Sequence, residues 1–172
     1  MKSRWVWALF AMVLSAGIWG GTLMATNPSG LGTTTLAKSR FDEINVKAHA
    51  IPASIWRTKI RTHGLSDVYV VDNKLAPVDP NTGAVANTGW HSHPGPSLVL
   101  VVAGTVTNYT SEDRKCTGQK YSAGQGFIDS GKDVHILRNE GSVLAETIAV
   151  QLLPADTPSR RIDKPAPGNC PF

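Results

Sequence analysis

Three histidines have the type and spacing to act together. His91 and His93 stand two apart in GWHSHPGPSLVLVVAG, residues 89–104, and His135 follows in GQGFIDSGKDVHILRN, residues 124–139. In an extended strand, residues i and i+2 share a face, so the first two imidazoles can converge on one point. Imidazole nitrogens bind divalent transition ions at about 2.0–2.1 Å, and two from one strand make half of a coordination site. Taken as a pair, they could equally be structural histidines. A third imidazole favours a metal, because three such polar groups are costly to bury with no cation among them. The candidate metal ligands are therefore His91, His93 and His135, and the cofactor a divalent transition ion (Fe, Mn, Zn, Ni or Cu). His49 and His63 lie in no motif and read as surface or packing residues. No general acid or base is identifiable, so catalytic residues are unassigned.

Three neutral imidazoles would leave such an ion its full double charge and several open positions. A small molecule with a carboxylate or enolate could then chelate it directly. If the ion were iron, oxygen could take another position.

The elements that must position these residues read as short strands. Ile44, Val46 and Ala48 alternate with polar neighbours, IWRTKIRT alternates likewise, and DVYVVD at residues 67–72 is β-branched and aromatic. Leu98 to Val102 is apolar throughout and predicts a strand covered on both faces. TVTNYT, GFID, VHILRN and VLAETIAVQLLP follow, separated by Gly-, Asn- and Asp-rich turns. Many short strands without a long helix indicate a sandwich or barrel.

The N-terminus is of another kind. MKSR is followed by the apolar run Trp5 to Gly21, with no further charge before Lys38. That is the pattern of an export segment, either a cleaved signal peptide or an uncleaved membrane anchor; small residues near Ala25 favour cleavage. Cys116 and Cys170 are the only cysteines. In an exported chain they predict one disulfide, with two unrelated thiols as the other reading. The expected location is secreted or extracytoplasmic. Of the formal charge of +4, Lys2 and Arg4 belong to the N-terminal segment. No basic run remains, so nucleic acid is not an expected partner. The expected partners are a small-molecule ligand or substrate and, in a homodimer, a second copy. A membrane is expected only if the N-terminal segment is uncleaved. The expected domain plan is a signal peptide or anchor at 1–25, a linker at 26–39, a barrel at 40–157 and a Pro-rich tail at 158–172.

The two histidine stretches resemble the two signature motifs of the cupin superfamily. There the first runs Gly, five residues, His-x-His, three or four residues, Glu, six residues, Gly. The second runs Gly, five residues, Pro-x-Gly, two residues, His, three residues, Asn. Here His91, His93 and Gly104 match the first, while Val85 stands for its opening glycine and Ser97 for its glutamate. Gly124, His135 and Asn139 match the second, with Ser130 and Lys132 in place of its Pro and Gly. The resemblance spans roughly residues 50 to 155. It implies an all-β fold, a small jelly-roll (cupin) barrel, and a three-histidine metal site without the usual carboxylate; the N-terminal apolar export helix read above would precede that barrel. Ser97 either faces that site or fills the space of the lost acid. Glu146 is the one acid on a late strand placed to replace it, although a solvent-facing position or an ion pair with Arg138 fits it better. Tyr109 and Gln151 are candidates for the pocket wall. The resemblance permits an oxygenase or lyase acting on a small anionic or polar molecule. A non-catalytic extracellular cupin that binds a small ligand is the alternative.

Overall fold

The computed structural model describes residues 24–52 and 55–172; the expected export helix lies outside the described residues. The strands in chain order are β1 Leu31–Phe41, β2 Asn45–His49, β3 Arg57–Arg61, β4 Ser66–Leu75, β5 Ala86–Asn87, β6 His91–Ser92, β7 Ser97–Ala103, β8 Thr105–Thr110, β9 Gln119–Ser122, β10 Gly126–Asp129, β11 His135–Asn139, β12 Ala145–Pro154 and β13 Ile162–Asp163. No helix occurs among the described residues.

One sheet runs β1-β4-β12-β7-β10 and another β13-β6-β11-β8-β9, with β5 also pairing β11. Both are antiparallel. They face each other across a shared core, as a jelly roll requires. Leu75, Val101 and Ala145 of the first sheet pack on Ala86, Val106 and Leu137 of the second. Burying side chains such as Leu75 stabilises the fold by about 1.5–3 kcal/mol each. Period-two patterning is clearest on β12, where Ala145, Thr147, Ala149, Gln151 and Leu153 are buried and the residues between them are not. A separate hairpin, β2 with β3, lies outside both sheets.

Several expectations need correction. Residues 26–39 are not a linker, because most of them enter β1, which pairs with β4 from Leu31↔Leu75 to Phe41↔Ser66. This edge strand lacks an apolar face, since all of it beyond Leu31 is exposed. It is held by main-chain bonds and by Lys38 and Arg40, whose cations reach the buried carboxylate of Asp67 at 3.0 and 2.9 Å. The strand Leu98 to Val102 is covered on one face only. Val99 and Val101 point inward, whereas Leu98, Leu100 and Val102 are about half exposed because, among the described residues, no third layer covers β7. The Pro-rich tail at 158–172 is fastened to the barrel: β13 pairs with β6, and Cys170 is joined to Cys116 as expected. Glu146 does not pair with Arg138; its nearest cation is Lys74 at 3.9 Å, and Arg138 bonds Glu140 at 3.2 Å.

Candidate functional site

The two motif histidines and the third meet because β6 and β11 are neighbours. His135 pairs directly with His91 across the antiparallel ladder, and His93 follows two residues on. Ring centroids lie 4.3 Å apart for His91 and His135, 4.7 Å for His91 and His93, and 5.4 Å for His93 and His135. One ligand atom from each ring lies within 4.8 Å of the other two, so the group could hold a metal ion.

The outer nitrogens explain how the rings are aimed. Nδ1 of His91 lies 2.8 Å from the carbonyl oxygen of Gly89, Nδ1 of His93 2.7 Å from that of Arg160, and Nδ1 of His135 3.1 Å from that of Asp133. A carbonyl oxygen only accepts, so each Nδ1 must donate the proton. In the neutral ring Nε2 then carries a lone pair, the tautomer and orientation that metal-binding histidines take. Burial favours the neutral form. The His91 imidazole is held far below its ordinary titration range, first by desolvation and then by the charges of His135, Arg161 and His93. His93 is lowered too, again chiefly by burial.

The imidazoles line a cavity of about 540 Å³ between the two sheets. Val71, Val99 and Phe127 supply apolar wall; Ser97 and Gln151 supply polar wall. Gln151 Nε2 lies 3.4 Å from Ser97 Oγ, and its Oε1 accepts from Arg160 Nη1 at 2.9 Å. Arg161 also lines the cavity; it pairs with Asp163, while its Nη2 is buried with no hydrogen-bond partner among the described residues. Two guanidinium groups at one wall make the cavity attractive to an anion.

Of the other residues singled out by sequence, Ser97 faces the cavity and is 1% exposed. Tyr109 packs with Trp90 and Ile136 instead, its hydroxyl donating to Glu140 at 2.8 Å. Asn139, the last residue of the second motif, is structural: its buried amide bonds the carbonyls of Leu75, Ala76 and Val143 at 3.0, 2.9 and 2.8 Å. His49 and His63 are exposed, away from the cavity.

Asp129 is a cavity residue that spacing does not reveal. It is 8% exposed, and its Oδ1 accepts from the main-chain nitrogen of Gly131 at 2.9 Å. Its Oδ2 lies 3.5 Å from His93 Nε2 and has no hydrogen-bond partner among the described residues. In the sequence, GFIDSG reads as a strand end running into a turn, where an aspartate is ordinary. The one signal in the sequence is its place, an acid six residues before His135 within the second histidine stretch.

No protein-family model matches the chain, and no curated protein does. Solved structures do. A cupin superfamily protein from Desulfitobacterium hafniense is 10% identical, with 76% of this chain and 84% of that one covered and a TM-score of 0.46. A cupin domain from Bordetella pertussis is 14% identical, covering 74% and 97%, with a TM-score of 0.45. The chain's structural neighbours are cupin superfamily proteins. An oxalate oxidase solved in complex with the substrate analogue glycolate is also similar, 19% identical, with 49% of this chain and 41% of that one covered and a TM-score of 0.40.

Proposed function

We propose that the protein holds one divalent transition ion on Nε2 of His91, His93 and His135, and admits a small anionic or polar molecule to the cavity beside it. The observation that carries this is that one nitrogen from each ring lies within 4.8 Å of the other two, while main-chain carbonyls engage all three Nδ1 and leave each Nε2 its lone pair. The donor set suits borderline metals such as iron, manganese, zinc, nickel or copper. The orphaned Oδ2 of Asp129 in the same cavity also fits a cation there.

A bound ion supplies Lewis acidity and, if it is iron, a position for oxygen. The chain's own residues do the rest. Arg160 and Arg161 draw a carboxylate or enolate inward, Gln151 and Ser97 offer it hydrogen bonds, and Val71, Val99 and Phe127 keep water out. This arrangement suits an oxygenase or lyase acting on a small acid, in a jelly-roll cupin domain that begins at β1 and includes β13. The disulfide between Cys116 and Cys170 supports an extracytoplasmic location for that domain, delivered by residues 1–25. Among the described residues no helix is long and apolar enough to cross a membrane.

Metal analysis of purified protein, followed by oxygen uptake and product analysis over a panel of small carboxylic acids, tests the proposal. One equivalent of metal that is lost on changing any of the three histidines to alanine, together with turnover of an acid, supports it. Acid binding without turnover makes the protein a ligand-binding cupin. Metal retained in the triple variant refutes the site.

A further inference from the structure

We propose that Asp129 supplies the carboxylate of this metal site, from the strand beside the one on which the cupin pattern carries it; this rests on the three-histidine site proposed above.

The first observation is register. Asp129 of β10 pairs directly with Ser97 of β7 in an antiparallel ladder. Directly opposed residues send their side chains to the same face, with Cβ atoms about 4.5–5.5 Å apart. Ser97 occupies the position where the resembling motif has glutamate, and both residues line the histidine cavity. A carboxylate at 129 therefore enters the region that one at 97 would have reached.

The second observation is distance. Asp129 Oδ2 is 3.5 Å from His93 Nε2. Ordinary N–H···O bonds are about 2.7–3.2 Å long, so the contact is too long for one. His93 already commits its proton on Nδ1 to the carbonyl of Arg160. Two acceptors then face each other, a carboxylate oxygen and an imidazole lone pair, which is unfavourable unless a cation lies between them. Two ligand atoms each about 2.1 Å from one ion are roughly 3.0–3.4 Å apart at octahedral or tetrahedral angles. The observed spacing is within a small adjustment of that.

The third observation is preparation. Asp129 is buried, its Oδ1 is fixed by Gly131, and its Oδ2 is left without a hydrogen-bond partner among the described residues. A buried carboxylate oxygen with nothing to accept from is costly, and a metal ion removes that cost. Asp129 approaches from the side of His93, its Oδ2 beside that ring's inward Nε2, while its Oδ1 lies 3.8 Å from the outward Nδ1 of His135. With one carboxylate among three neutral imidazoles, a divalent centre carries a net single positive charge.

The experiment is a calorimetric titration of metal-stripped full-length protein with Zn(II) and Co(II). Wild type, Asp129→Asn, His93→Ala and the double variant Ser97→Glu with Asp129→Asn are compared, each checked for fold by circular dichroism. Asp129→Asn preserves size and removes the charge; its affinity is expected to fall by about 10–100-fold or more. The double variant should recover part of that loss, because the carboxylate returns from the neighbouring strand. Wild-type affinity in Asp129→Asn, alongside weak binding in His93→Ala, would overturn the role of Asp129 and leave the three-histidine site standing. No binding by wild type would overturn both. Should the variants fail to fold, the crystal structure of zinc-loaded wild type decides: an Asp129 oxygen at about 2.0–2.2 Å from zinc supports the proposal, and one in no contact with it refutes it.

Discussion

Nδ1 of His93 lies 2.7 Å from the main-chain carbonyl oxygen of Arg160, a residue 67 positions further along the chain. One of the three inward imidazoles is thus aimed by the C-terminal segment and not by its own sheet. That segment is fastened in several places. Lys164 N donates to Trp90 O at 2.9 Å, Asn169 Nδ2 donates to the carbonyls of Thr110 and Asp113 at 2.9 and 2.7 Å, and Cys170 is bonded to Cys116.

Cutting the last of these fastenings should therefore reach the site. On the chain-entropy model, a disulfide closing a span of 54 residues stabilises the fold by about 4 kcal/mol. The variant with both cysteines changed to serine should lose stability on that order in urea titration. It should also bind Co(II) more weakly than the oxidised wild type, because the Arg160 carbonyl is less firmly placed. Unchanged metal affinity in a destabilised variant would show that His93 is aimed without the tail.

The buried imidazoles set a direction for pH dependence. In the unfolded chain a histidine titrates near 6.5, whereas burial holds His91 and His93 neutral to lower pH in the fold. Below about pH 6.5 the unfolded state takes up protons that the folded state refuses. Stability of the metal-free protein is therefore fully present above that pH and is lost as pH falls below it. The slope is up to about 1.4 kcal/mol per pH unit for each imidazole. Urea midpoints measured between pH 7.5 and 4.5 in chelator should show this. His91→Asn should flatten the dependence.

Asp67 governs a different part of the molecule. Its carboxyl is held well below the usual carboxylate range, first by the hydrogen bonds from Arg40, with Lys38 adding to them. Its contribution is present above the unfolded carboxylate value near 3.9 and is lost as pH falls further. Asp67→Asn should loosen β1 at neutral pH. Faster hydrogen exchange at the amides of Lys38 to Phe41, with β12 unaffected, is the expected result; uniform exchange across the sheet would count against it.

How far the chain could be read before its fold depended on whether the information was local. The histidine trio was legible because a period of two and two motif spacings put His91, His93 and His135 in register, and β6 and β11 pair them directly. The strand at Ala145–Pro154 was legible because VLAETIAVQLLP is a β-type run that follows a turn. β1 was not, because LGTTTLAKSRF buries no face; its partners, β4 and Asp67, lie more than twenty residues away. Burial of Leu98, Leu100 and Val102 was wrongly expected because an apolar run does not say how many layers surround it. Asp129 was missed for a related reason. Which way a four-residue strand turns its last side chain depends on its partner, and that partner, Ser97, lies 32 residues earlier.

Gly131 connects both sides of the proposed site. Its N–H donates to Asp129 Oδ1 at 2.9 Å, and its carbonyl accepts from the main-chain nitrogen of His93 at 2.6 Å. The turn has a φ of 94° there, and an added Cβ would sit 2.5 Å from the carbonyl oxygen of Gly95. Backbone atoms at that distance cannot yield as the end of a side chain can, so Gly131→Ala must shift the turn and with it both His93 and Asp129. Gly124 provides the contrast: its φ is 84°, but nothing lies within 4 Å of an added Cβ. Gly124→Ala should cost only the left-handed backbone term of about 1–2 kcal/mol and leave metal binding intact. Gly131→Ala should cost more than that in urea titration and also weaken Co(II) binding. Equal losses of stability in the two variants, with metal affinity unchanged in both, would show that the turn supports the fold without positioning the site.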